Sequence, residues 1–75
     1  MTLDQAIWSD KERMSGQLCF KGTRIPVSTL FDYAKANELQ DFYIDFPDVT
    51  PEMAWIVLET SQKQLESFLQ DSPAA

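Results

Sequence analysis

The sequence predicts one small, mostly α-helical domain in which three helices follow a short β-hairpin or extended arm. Three observations carry this. The chain has 75 residues, the size of a single domain. From Ser28 onward, apolar residues recur at helical spacing between recognisable caps. Before Val27 they do not: strand formers cluster at Ile7-Trp8 and Leu18-Cys19-Phe20, and Ser15-Gly16 breaks the run between them. The expected division is a β arm over 1–27, a three-helix core over 28–61, and a helical extension and tail over 62–75.

The arm comes first. A two-stranded hairpin is rarely stable alone, so it is expected to pack on the helices or to pair across a dimer, with Trp8 as its core anchor. Residues 19–27 then form a junction. Gly22 lets the backbone take a positive φ. Pro26 pushes the residue before it into an extended conformation, and its own fixed φ prepares a helix start. Lys21 and Arg24 stand at this bend. For Arg24 two readings stay open, a contact to phosphate or an ion pair with an acid of the second helix.

Ser28 is the expected cap of a first helix over 29–36, which buries Leu30, Phe31 and Ala34. Asn37 tolerates the left-handed conformation and closes it. A second helix over 39–46 repeats Leu39, Phe42, Tyr43 and Phe46 at i, i+3, i+4, i+7, and its aromatic residues read as core. Thr50-Pro51-Glu52 opens a third, over 51–69, with a hydroxyl cap, a proline in the first turn and an acid beside it. Its first half, 53–58, is apolar on every side and must be covered on more than one face. Its second half narrows to Leu65, Phe68 and Leu69 on a polar rod. Both features read as interface signals.

A core of this size supplies only about 3–5 kcal/mol without staples. Cys19 is the one cysteine and there is no histidine, so neither a disulfide nor a zinc pattern is expected. Self-association as a homodimer, or a partner protein, is the expected supplement. The lone cysteine and the lack of a leader or a membrane-length apolar run place the chain in the cytoplasm as an expectation, with no membrane contact. Net charge is −6, and its distribution is uneven. Residues 1–35 carry five basic and four acidic side chains, whereas 36–75 carry one against eight. The second part suits a basic protein partner.

Three function classes are open to these residues. Catalysis is not expected: no histidine is present as a base, no nucleophile has a visible partner, and no phosphate-cradling loop exists. No cofactor and no metal is expected either, since Asp45 and Asp48 read as solvated caps. DNA binding through a helix-turn-helix is disfavoured by the acids of its third helix, Glu52 and Glu59. If DNA is contacted, the cations Lys11, Arg13, Lys21 and Arg24 are better placed. Protein capture fits best, with Trp55, Leu58, Leu65, Phe68 and Leu69 lying in a partner's groove as helical anchors.

The string Phe20-Lys21-Gly22-Thr23-Arg24-Ile25-Pro26-Val27 is distinctive. Together with Met14-Ser15-Gly16, Leu30-Phe31-Asp32-Tyr33, Asp45-Phe46-Pro47 and the helix opened by Thr50, it resembles the bacterial family catalogued as domain of unknown function 433. Gly22, Thr23, Arg24 and Pro26 carry the most specific part of that resemblance. Leu18, Ala36 and Glu38 depart from the family's usual residues. The resemblance implies a homeodomain-like, helix-turn-helix type fold behind a short β arm. It also implies a VapB-type antitoxin, one that neutralises a PIN-like ribonuclease toxin and represses its own operon. The alternative is a stand-alone DNA-binding transcriptional regulator that binds operator DNA.

Overall fold

In a computed structural model, which describes residues 1–12 and 16–71 with side chains through Leu69, the chain opens with a helix rather than an extended arm. This helix, α1 (Leu3–Ala6), begins where the Gln5 amide donates to the Thr2 carbonyl at 3.1 Å. The Gln5 side chain answers by accepting from the Thr2 amide at 2.9 Å, one half of a capping box. Two strands follow, β1 (Ile7–Ser9) and β2 (Leu18–Phe20), paired antiparallel with Ile7 opposite Phe20 and Ser9 opposite Leu18. The expected hairpin is therefore present. It packs on the helices, with Phe20 fully buried in the core.

Three further helices complete the chain: α2 (Val27–Lys35), α3 (Leu39–Asp45) and α4 (Pro51–Asp71). The start of α2 corrects one expectation. Pro26, not Ser28, is the N-cap, with φ −63° and ψ 141°, and its carbonyl accepts from the Thr29 amide at 3.0 Å. A proline already holds the extended geometry of a cap and sacrifices no donor there. The end of α2 is as expected. Asn37 takes φ +60°, the Glu38 amide donates back to the Tyr33 carbonyl, and the Asn37 amide donates to Ala34, which together form a Schellman closure. Thr50 caps α4 through a 3.2 Å bond from the Met53 amide to its hydroxyl.

The core draws on every helix and on β2. Ala6, Phe20, Val27, Leu30, Phe42, Val49, Met53, Ala54 and Val57 form one buried cluster. Phe42 sits at its aromatic centre, with Tyr33, Tyr43, Phe46 and Phe20 around it at ring separations of 5.2–6.1 Å. The main packing partner of α4 is α1, so the three-helix core expected over 28–61 is completed by a fourth, N-terminal helix. No helix among the described residues is long and apolar enough to cross a membrane. The tail after Asp71, expected to close the 62–75 segment, lies outside the described residues.

Candidate functional site

Two places concentrate the residues singled out from the sequence, and their chemistry differs. The first is the junction between β2 and α2. Gly22 adopts φ +77°, a left-handed conformation that suits glycine. Thr23 follows and ties the turn together. Its amide and its hydroxyl both donate to the Phe20 carbonyl, at 3.0 and 2.9 Å. The same hydroxyl accepts from the Ile25 amide at 3.0 Å. Its carbonyl accepts from the indole Nε1 of Trp8 at 2.8 Å. Trp8 thus anchors the arm through its N–H from a half-buried position, outside the buried cluster in which it was expected. The Phe20 amide donates to the Ile25 carbonyl at 3.0 Å, and the Lys21 amide to Ala6 at 2.8 Å. Gly22, Thr23 and Pro26 are accounted for by folding alone.

The cations near this junction are not gathered into one patch. Lys11, Lys21 and Arg24 are exposed, but the hairpin register puts Lys11 and Lys21 at opposite ends of the two strands. Arg13 lies outside the described residues. Among the described residues, no acid reaches Arg24 within ion-pair distance. Of its two open readings, the ion pair with an acid of the second helix is therefore not formed.

The second place is the outer face of α4. Trp55 is 66% exposed, and Leu65, Phe68 and Leu69 are 70%, 70% and 62% exposed. Burial falls away after Ser61, so the last turns of α4 stand clear of the core. At 3.6 residues per turn, Trp55, Leu58, Leu65 and Leu69 fall within an arc of about 80°, and Phe68 lies about 60° to one side of Leu65. Leu58 differs from the rest of the set, because it is half-buried against the core. Polar pairs adjoin this ridge on its Trp55 side, with Gln62 falling inside its arc. Lys63 meets Glu59 at 3.0 Å, and the Gln62 amide donates to Glu66 at 2.8 Å. The hydrogen bond and charge of Lys63 hold the Glu59 carboxyl below its usual range.

Two features escaped the sequence. An apolar groove of about 200 Å³ opens between the arm, α2 and α4, lined by Leu3, Ile7, Val27, Phe31, Thr60 and Ser61 among others. Its walls come from separate parts of the chain, so no local pattern announces it. Ile44 is 74% exposed on α3, among the exposed acids Asp41, Asp45 and Asp48. Its position off the Leu39-Phe42-Tyr43-Phe46 face was the available signal. Asp45 has one structural tie, accepting from the Tyr33 hydroxyl at 2.8 Å. That bond, with partial burial and the nearby carboxylates, pushes the Tyr33 phenol up.

No curated protein and no solved structure matches this chain. The family described as Protein of unknown function (DUF433) matches residues 7–59, which takes in the whole Thr23 junction and stops short of Leu65, Phe68 and Leu69; the chain belongs to that family.

Proposed function

We propose that this protein acts by binding rather than by catalysis, as the antitoxin of a toxin–antitoxin pair of the VapB type. Its target in this reading is a PIN-like ribonuclease. The observation that carries the proposal is the ridge on α4, where Trp55, Leu65, Phe68 and Leu69 expose large apolar surfaces. Exposed apolar patches of this kind mark interaction surfaces. An amphipathic helix that lays anchors at i, i+3, i+4 and i+7 into a groove is a common mode of capture. Residues 36–75 carry eight acids and one base, which favours encounter with a basic partner. Neutralisation follows if the bound helix blocks or displaces the carboxylates of the ribonuclease.

The homeodomain-like arrangement of α2, α3 and α4 belongs to this reading, supported by the short connections at 36–38 and 46–50. Repression of the operon is its second part, and it rests on exposed Lys21 and Arg24 at the junction. Operator binding by a dimer brings two such pairs to the duplex.

Co-expression with a PIN-like ribonuclease, sought first in the adjacent gene, tests the proposal. Leu65→Ala and Phe68→Ala are each expected to weaken capture by about 2–4 kcal/mol, as interface anchors do. A loss of that size is roughly thirtyfold to a thousandfold in Kd, so toxicity returns in cells. Arg24→Ala is expected to weaken operator binding and its salt dependence while leaving capture intact. If a chain ending at Ser61 still neutralises the ribonuclease at full strength, the ridge is not the binding surface.

A further inference from the structure

We infer that the groove between the arm, α2 and α4 receives the Phe68 side chain of a second copy of this chain, reciprocally, across a two-fold axis at Gln64. The groove holds about 200 Å³ and is lined chiefly by apolar side chains such as Leu3, Ile7, Val27 and Phe31. A dry apolar cavity of about 150 Å³ already admits a benzene ring, so an aromatic side chain fits. Two aromatic side chains are largely exposed, Trp55 and Phe68. Phe68 shares the face of α4 that lines the groove through Val57 and Ser61, whereas Trp55 points about 140° away from Phe68.

Phe68 cannot fill the groove of its own chain. On a straight helix it lies about 12 Å along the axis from Thr60, with the rise fixed at 1.5 Å per residue. Knob and seat on one helix make the surface self-complementary, which is what an isologous two-fold contact requires. An antiparallel pairing of two α4 helices centred on Gln64 sets each Phe68 opposite the partner's Thr60. Gln64 is exposed and meets its own symmetry mate, where two amides satisfy each other.

The last turns of α4 stand clear of the core, exposed from Gln62 through Leu69, so the surface that carries Phe68 is free to meet a second copy. In the free chain Phe68 is then held between copies, and a ribonuclease that uses the same side chain as an anchor captures the protein by displacing this contact.

The test uses the full chain alone, so its outcome is independent of ribonuclease capture. Sedimentation across the micromolar range is expected to show a dimer. Phe68→Ala raises its dissociation constant about thirtyfold or more, as loss of a buried anchor does. Trp55→Ala leaves it unchanged. Under mild oxidation Gln64→Cys forms a disulfide-linked dimer, because the two positions meet at the axis, whereas Lys63→Cys, about 100° around the helix, does not. Cys19 is buried and does not compete. A chain that stays monomeric at every concentration overturns the inference. So does a dimer that survives Phe68→Ala, or one in which Gln64→Cys cross-links no faster than Lys63→Cys.

Discussion

Thr23 and Phe68 mark two regions that handle their side chains in opposite ways. At Thr23 the amide, hydroxyl and carbonyl are all hydrogen-bonded, to Phe20, Ile25 and Trp8. At Phe68 a large apolar ring stands 70% exposed on a helix that has left the core behind. The family match covers the first region and omits the second. The most distinctive string in the sequence, Gly22-Thr23-Arg24-Ile25-Pro26, therefore fastens the arm to α2, with Arg24 as its one outward side chain. Three of the exposed apolar residues of α4, Leu65, Phe68 and Leu69, lie instead in a run with no signature beyond the matched residues. Membership of the family speaks for the scaffold, and not for Leu65, Phe68 and Leu69, which lie beyond the matched residues.

The strongest way to break this comparison is to truncate one aromatic residue in each region. Phe42 is fully buried between four other rings, and Phe→Ala in a packed core costs about 3–5 kcal/mol. A domain of this length holds only about 4–11 kcal/mol in total. Phe42→Ala is therefore expected to remove most of the cooperative unfolding transition in urea. Phe68→Ala is expected to leave the stability of the dilute chain within about 0.5 kcal/mol. Any larger loss must grow with protein concentration, because only association couples stability to concentration. A concentration-independent loss matching that of Phe42→Ala would put Phe68 in the core and erase the contrast.

A smaller effect sharpens the account of the junction. Thr23→Val keeps the shape and deletes the hydroxyl, which leaves the Ile25 amide without its acceptor. Such a loss is expected to cost about 1–3 kcal/mol, measured as a shift of the urea midpoint. Thr23→Ser keeps the hydroxyl and is expected to recover most of it. If valine is tolerated without cost, the hydroxyl bonds do not hold the turn.

What was legible in the sequence follows from how local each cause is. Thr50-Pro51 and Asn37 announce the start of α4 and the end of α2 because a cap acts on its own neighbours. The aromatic face of α3 is legible for the same reason. A helix of four residues shows no periodicity, so the sequence of α1 is indistinguishable from part of an extended arm. Its Ala6 is buried beside Met53, Ala54 and Val57 of α4, a contact across more than forty residues that no window along the chain reveals. The role of Thr23 was hidden similarly, since its partners come from β1, β2 and the turn together. Leu58 and Trp55 looked equivalent in an all-apolar run, and only the placement of α4 on α1 separates the half-buried one from the exposed one.

The smallest expected effects are electrostatic, and they set the two regions at opposite ends of the pH scale. Tyr33, beside the buried aromatic cluster, donates to Asp45 at 2.8 Å. That bond, ahead of partial burial and the surrounding carboxylates, raises the phenol above its ordinary value of 10.0. A raised value in the fold means the neutral phenol is favoured. Its contribution is complete below about pH 10 and is lost as pH climbs through the folded value. Glu59 on α4 behaves in the reverse sense. Lys63 lowers its carboxyl below the ordinary 4.5, so its contribution is complete above that pH and is lost as pH falls through the folded value. Both side chains face solvent, where screening keeps such pairs weak. The check is therefore titration rather than unfolding. In a Tyr43→Phe background, Asp45→Asn is expected to move the tyrosinate absorbance of Tyr33 to lower pH. Lys63→Gln is expected to move the carboxyl resonance of Glu59 to higher pH while leaving Tyr33 where it was. A shift of Tyr33 on substitution of Lys63 would mean that the end of α4 is coupled to the core, and the separation between scaffold and ridge would fail.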